Sequence, residues 1–256
     1  MSNVLVERQG AIQRIQINRP EKKNALTAAM YAAFGEAILA AERDPGVRVM
    51  LIGGAGDAFT AGNDLQDFLA HAPRGAGPRP VLDFLQVFSH AAKPIVAAVH
   101  GVAVGVGTTM LAHCELVYAA EGTKFSMPFV NLGLCPENAS SFLLPAILGY
   151  QRAAELLMFG EPFDATRARE IGLVNAVVPP AELAATATAA AHKLAAKPPA
   201  SLRLTKRLMR RAWMPEIEAA LAEESKAFAE RLSSPEAKEA FTAFFEKRAP
   251  DFTGFD

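Results

Sequence analysis

Cysteine is scarce in this chain of 256 residues: Cys114 and Cys135 are the whole supply. Two are too few for a disulfide framework and lack the paired spacing of a zinc site, so both are expected to be small, reduced core residues. An excess of either charge is also missing. Lys and Arg total 26 against 27 Asp and Glu, a formal net charge of −1 without any long basic run, and the electrostatic footprint of a nucleic-acid binder is therefore absent. Although 51% of the residues are hydrophobic, no uninterrupted apolar stretch approaches the roughly 20 residues that span a bilayer. The segment from Met1 to Gln9 carries Asn3, Glu7 and Arg8 where a signal peptide needs apolar residues, so a soluble protein in the cytoplasm is expected. The five histidines, His71, His90, His100, His113 and His192, fall in no metal-ligand spacing.

What is present is an alternation of short apolar runs and helical stretches. Val4-Leu5-Val6 and Ile12 to Ile17, flanking Gln9-Gly10, predict a hairpin. Asn18 to Asn24 is a polar turn, after which Thr27 is placed to cap an alanine-rich helix running to about Glu42. Val47 to Ile52 reads as a strand ending at Gly53-Gly54-Ala55-Gly56, where the glycines predict a turn. Pro94 to Val99 and Leu116 to Ala119 read as further strands, with the helical Thr108 to Ala112 between them. Strands and helices in alternation imply an α/β layering with crossovers. Pro73-Arg74-Gly75-Ala76-Gly77-Pro78-Arg79-Pro80 reads as a loop able to gate a site. From Pro179 onward strand signals vanish, and Ser201 to Met209, Pro215 to Leu232 and Pro235 to Arg248 read as helices. In the last of these Phe241, Phe244 and Phe245 recur at helical spacing, giving an apolar face to be covered by this core or by another subunit. The chain thus divides into a core, 1–197, and a helical segment, 198–256.

Two glycine-bearing turns, Phe59-Thr60-Ala61-Gly62-Asn63-Asp64-Leu65 and Gly101-Val102-Ala103-Val104-Gly105-Val106-Gly107, each precede a helix. Free amides at helix starts carry partial positive charge and suit an anion, and glycine lets the backbone approach it closely. On spacing alone, ordinary tight turns are the commoner explanation. A dinucleotide fingerprint fails for want of its third glycine after Gly105 and Gly107, and no glycine leads into the Lys-Ser/Thr pair of a phosphate loop. Ser140 and Ser141 lack a nucleophile elbow and read as helix-start residues, and Asp64 reads as a helix cap.

With Pro128-Phe129, Leu132-Gly133 and Pro136-Glu137 leading to Ser140-Ser141, the two turns resemble the crotonase, or enoyl-CoA hydratase/isomerase, superfamily. The resemblance runs from Arg19-Pro20 and Asn24-Ala25-Leu26 to Ala168-Arg169-Glu170-Ile171-Gly172-Leu173-Val174 and the helical tail. It implies a spiral of ββα units with a C-terminal helical segment, assembled as a homotrimer or dimer of trimers. It implies an oxyanion hole made by the amides of Ala61 and Val106. Coenzyme A is implied to lie along Ala61-Gly62-Asn63-Asp64-Leu65, helped by Lys22, Lys23 and Ala25, with Phe129 beside the acyl group and Phe228 and Lys247 as looser matches. Read without the resemblance, Lys22, Lys23 and Lys247 are solvated lysines and Phe228 is helix packing.

The hydratases of this superfamily use two glutamates to position water, and the matching positions here hold Thr109 and Phe129. Neither can act as an acid or base. The surrounding pattern instead looks like the peroxisomal-type 3,2-trans-enoyl-CoA isomerases, in which one glutamate, matching Glu137, moves the proton. The expected reaction is transfer of a 3-enoyl-CoA double bond to the 2-trans position. No metal or redox cofactor is implied, coenzyme A being part of the substrate. The alternatives are hydration or another enolate reaction run by Glu137 alone, or a catalytically silent acyl-CoA-binding module. Leu132, Leu134, Phe129 and Phe142 are expected to give Glu137 apolar surroundings and so a raised pKa.

Overall fold

A computed structural model describes residues 2–71 and 79–255. The β-branched residues at the start close the expected hairpin, β1 (Val4–Gln9) and β2 (Ile12–Ile17), in register from Val4 opposite Ile17 to Gln9 opposite Ile12. Thr27 accepts a hydrogen bond from the Met30 amide and starts α1 (Ala28–Arg43), the capping role its position predicts. The next elements are β3 (Val49–Gly54), α2 (Leu65–His71), α3 (Arg79–Ser89), β4 (Ile95–Val99), β5 (Val102–Val104) and α4 (Val106–Thr109). They are followed by β6 (Leu116–Ala120), β7 (Lys124–Ser126), α5 (Ser140–Leu148), α6 (Tyr150–Phe159), β8 (Phe163–Asp164), α7 (Ala165–Glu170) and β9 (Ala176–Val178). Four helices complete the chain: α8 (Leu183–Ala195), α9 (Pro199–Arg210), α10 (Met214–Leu232) and α11 (Pro235–Glu246).

The strands form two sheets. In the larger, ordered β1-β2-β3-β4-β6-β9, every pairing after the hairpin is parallel. The smaller is ordered β5-β7-β8 and is extended by an isolated bridge between Thr60 and Ala103. Each turn of the chain therefore gives one strand to the large sheet, bends, and gives a short extended segment to the small one before entering a helix. The segment after β3 enters α2, β4 and β5 lead to α4, and β6 and β7 lead on to α5. This is the expected spiral of ββα units.

Both faces of the large sheet are covered, as a parallel sheet requires. Along β3, Met50 and Ile52 enter the main core, while Val49 and Leu51 pack with Ile12 and Val96 under Ala187 and Ala191 of α8. In the main core, Tyr31 and Phe34 of α1 meet Phe84 and Phe88 of α3, with ring centroids 5.1 to 6.2 Å apart. Burying each such ring stabilises the fold by roughly 1.5–3 kcal/mol.

Four expectations need correction. Gly53 and Gly54 do not begin a turn but complete β3, paired with Gln16 and Ile17 of β2; glycine is needed at 54 because the chain doubles back there, and a Cβ would lie 2.2 Å from the Ala58 carbonyl oxygen. Val102 to Val104, placed in a turn, is a strand held by the neighbouring β7. The alanine-rich α8 joins the three helices expected beyond Pro179. Arg79 and Pro80 open α3, where proline fits the first turn; the rest of the expected gating loop, 73–78, lies outside the described residues.

Candidate active site

The loop 19–26 and the segment 55–63 are laced together by one buried side chain. Asn24, in a left-handed conformation with φ of 58°, donates from Nδ2 to the carbonyls of Ala55 and Ala58, at 2.8 and 2.6 Å. It accepts the Arg19 amide at 2.7 Å, and its own carbonyl accepts the Thr60 hydroxyl. Arg19 in turn bonds the Ala25 carbonyl and the Asp64 carboxylate, the latter at 2.8 Å. Asp64 also accepts the Asp67 amide, so it caps α2 as expected; burial works to raise its pKa, but these partners hold it below the usual carboxylate value. At Gly62, with φ of 83°, a Cβ would lie 2.7 Å from the Val104 carbonyl oxygen, so only glycine lets this turn lie so close to the second one.

One of the two expected amide donors, that of Ala61, is already engaged. Ala61 N–H already donates to the Lys23 carbonyl at 2.9 Å, and Gly62 N–H to the Thr60 hydroxyl at 3.1 Å. Ala61 is therefore corrected as a donor to an incoming anion. Leu26 pairs with Asn63 in a parallel bridge that engages the Gly62 carbonyl and the Asp64 amide, which leaves the Asn63 N–H on the other edge of the strand. Neither it nor the Val106 N–H at the start of α4 has an acceptor among the described residues. The Tyr31 hydroxyl donates to the Asn63 side chain.

Beside these amides lies a cavity of about 700 Å³, within the range of small-ligand sites. Its wall includes Lys22, Ala25, Ala61, Gly62, Asn63 and Asp64. Leu65, Phe129, Glu137 and Phe228 also line it. Lys23 and Lys247 are exposed and stand off the wall; the Lys23 backbone instead holds Ala61, and Lys247 ends α11 in a left-handed conformation. Val106 is buried behind Gly105, which does line the cavity. Leu132 and Leu134 flank the cavity as expected, whereas Phe142 turns away to the Trp213 ring.

Glu137 is 6% exposed, and its Oε1 has no hydrogen-bond partner among the described residues. Burial, reinforced by the charge of Glu224, pushes its carboxyl up to about 8, the direction expected. It sits on a strained turn: Asn138 and Ala139 both have left-handed backbones, with φ of 64° and 56°, a geometry that costs a residue such as alanine about 1–2 kcal/mol. Three groups hold the turn. Glu224 of α10 accepts the Ala139 and Ser141 amides at 2.6 and 2.8 Å, His113 Nε2 donates to the Asn138 carbonyl at 2.8 Å, and Asn138 Nδ2 lies 3.5 Å from the Thr109 hydroxyl. Burial drops the His113 pKa to about 3, so the ring is neutral and its Nδ1 accepts from Arg210. Glu224, Tyr31 and Asn24 escaped the sequence reading. Nothing in local spacing marks them, although Asn24 lies in a segment that the resemblance singled out.

The tail supplies the remaining wall. Phe241, Phe244 and Phe245 of α11 line the cavity of their own chain, as does Arg248, which is tied to Glu239 and Glu246. The helix seats on Gly133, whose Cβ position is 2.6 Å from the Ala237 amide. Phe241 is thereby buried in this core, while Phe244 and Phe245 line the cavity with much of their rings exposed.

Comparison with known proteins agrees with the architecture. The family profile described as enoyl-CoA hydratase/isomerase matches residues 7–255. Rat enoyl-CoA delta isomerase 2 is 34% identical over 250 residues, 96% of this chain, which spans 64% of that protein's length. Short-chain-enoyl-CoA hydratase of Clostridium acetobutylicum is 33% identical over 254 residues, covering 97% of this chain and 96% of that one. The crystal structure of an enoyl-CoA hydratase/isomerase from Pseudoalteromonas atlantica superposes with a TM-score of 0.93 at 41% identity, over 98% of this chain and 100% of that one. With the two amide-bearing turns, the spiral and this match along nearly its whole length, the chain belongs to the enoyl-CoA hydratase/isomerase, or crotonase, family.

Proposed function

We propose that this enzyme is an enoyl-CoA isomerase that moves the double bond of a 3-enoyl-CoA to the 2-trans position through a thioester enolate. The observation that carries the reading is the state of the two carboxylates on the cavity wall. Asp64 is ion-paired and capping a helix, while Glu137 is desolvated with one oxygen unpartnered. One carboxylate able to take a proton and give it back is what double-bond migration needs. Hydration in the usual manner of the family needs two, and the positions that would carry them hold the buried Thr109 and Phe129.

The thioester oxygen is held by the N–H groups of Asn63 and Val106, the free donors of the two turns. Preorganised donors of this kind are each worth roughly 3 kcal/mol to a developing oxyanion. With the oxygen held, Glu137 removes the proton from C2, leaving the enolate, and returns it at C4 as the double bond shifts into conjugation. Phe129, Leu132 and Leu134 keep water from the carboxylate. Coenzyme A lies along the Asn63 turn toward Lys22, and the reaction asks for no cofactor beyond the coenzyme A carried by the substrate as its thioester.

The test is to supply a 3-enoyl-CoA and follow the absorbance of the conjugated thioester. Glu137→Gln should lower turnover by about 10²- to 10⁴-fold while acyl-CoA affinity stays near wild type. In the wild type the rate should rise toward pH 8, since the carboxylate form is the base. Turnover that survives Glu137→Gln sinks the proposal. The similarity to a short-chain hydratase supports a second reading, water addition run by Glu137 alone. Rapid loss of conjugated absorbance from crotonyl-CoA would favour it.

A further inference from the structure

We infer that Glu224 is a positioning residue for this chemistry: its carboxylate, reaching in from the tail helix α10, fixes the left-handed turn that presents Glu137 to the acyl cavity. The inference rests on the isomerase reading above. Its structural basis is a helix start with no local cap. The residue at the N-cap position of α5 is Ala139, whose side chain cannot accept a hydrogen bond. Glu224 fills that role from a distance, taking the Ala139 amide on one oxygen and the Ser141 amide on the other. It is 7% exposed, and a buried carboxylate held by two backbone donors has little freedom to move.

Glu224 and Glu137 line one small space. A cavity of about 20 Å³, the size of one water, is lined by Glu137, Asn138, Glu224, Ser225, Phe68 and Phe228. Glu224 therefore acts twice, through the backbone that carries Glu137 and through its negative charge. The other titratable groups around Glu137 are Tyr31 of α1, Cys135 on the preceding segment, and the neutral His113 behind Asn138. Burial raises the pKa values of Tyr31 and Cys135, so both stay neutral at working pH. Burial also raises that of Glu224, with Glu223 adding to it, but the Ser141 and Ala139 amides favour its charged form, and Glu224 is the charge that acts. Because Glu224 belongs to α10, the base is set only when the tail helices are docked. The helix that walls the cavity and the turn that bears Glu137 are then assembled together.

Three variants test this, with catalysis and the titration of Glu137 as readouts. Glu224→Gln keeps the size but places an NH2 group against a backbone N–H and removes the charge. We expect kcat to fall about tenfold to a hundredfold with little change in KM, because the acyl cavity keeps its walls. We also expect the acid limb of the pH–rate profile to move down by about one unit, since Glu137 loses a neighbouring negative charge. Glu224→Asp keeps the charge but shortens the reach, and should lower kcat while leaving the acid limb near its wild-type position. Glu224→Ala should be the least stable of the three. Carbon-13 NMR of labelled Glu137 in full-length wild type and in the Gln variant reads the same shift without turnover. An unmoved Glu137 titration together with an unchanged kcat in Glu224→Gln would overturn the inference and leave the isomerase reading standing. Loss of the isomerase reading, by contrast, would show as activity in Glu137→Gln, with the NMR shift still measurable.

Discussion

Glu137 shows how one side chain links stability to chemistry. Its carboxyl titrates near 8 in the fold against an ordinary value of 4.5, because burial and Glu224 both oppose its charge. The folded protein thus holds this proton more tightly than the unfolded chain does. The contribution is fully present below about pH 4.5 and is lost as pH rises through 8. Glu137→Gln keeps the shape and cannot ionise, so above pH 8 it should be more stable than wild type, by on the order of a few kcal/mol. Thermal melts at pH 5 and pH 9 check this: the gap between variant and wild type should open only at the higher pH. An equal gap at both would mean that the carboxyl is solvated. The stability forgone at high pH is held at the group proposed to need it as a base.

At the scale of elements, the site is a meeting of three helix starts and two tail helices. α2, α4 and α5 begin beside the Asn63 amide, at the Val106 amide and just beyond Glu137 respectively, so the spiral brings three N-termini toward one cavity. The tail helix α11 closes the wall by seating on Gly133, which has a φ of 67° and no room for a side chain. Gly133→Ala should therefore push α11 from its seat and open the wall formed by Phe241 and Phe244. The expected results are a raised KM for acyl-CoA and faster proteolytic clipping between α10 and α11, with the far-ultraviolet circular dichroism little changed. Unaltered KM and clipping would show that the helix can shift without loss.

At the scale of the whole molecule, the exposed apolar side chains among the described residues include clusters on α9 and α6. Leu204 and Leu208 lie one turn apart on α9 with Met209 beside them, and α6 leaves Tyr150, Met158 and Phe159 exposed. Exposed clusters of this kind mark contact surfaces. They support the proposal that the chain assembles as the trimer, or dimer of trimers, that its family resemblance implies. Light scattering should give at least three chains per particle for the wild type, and Leu208→Asp should shift it toward monomer. A monomeric wild type at micromolar concentration would remove the proposal. Among the described residues no helix is long and apolar enough to cross a membrane.

The sequence by itself determined the hairpin, the Thr27 cap, the alternation behind the parallel sheet and the motifs that carry the family. It also singled out Glu137 over Thr109 and Phe129. All of these are local: period, cap and motif are properties of neighbours along the chain. Tertiary structure decided what depends on neighbours in space. Gly53 and Gly54 continue a strand because β2 pairs with them, and Val102 to Val104 is extended because β7 pairs with it. The Ala61 amide is used and the Asn63 amide left free because a single parallel bridge fixes which edge of the turn faces inward. Phe241 of α11 is buried beside its own chain's cavity, and Glu224 reaches the base from a helix far along the chain. A carboxylate's partner at that separation leaves no trace in spacing, since hydrogen bonding is set by distance through space.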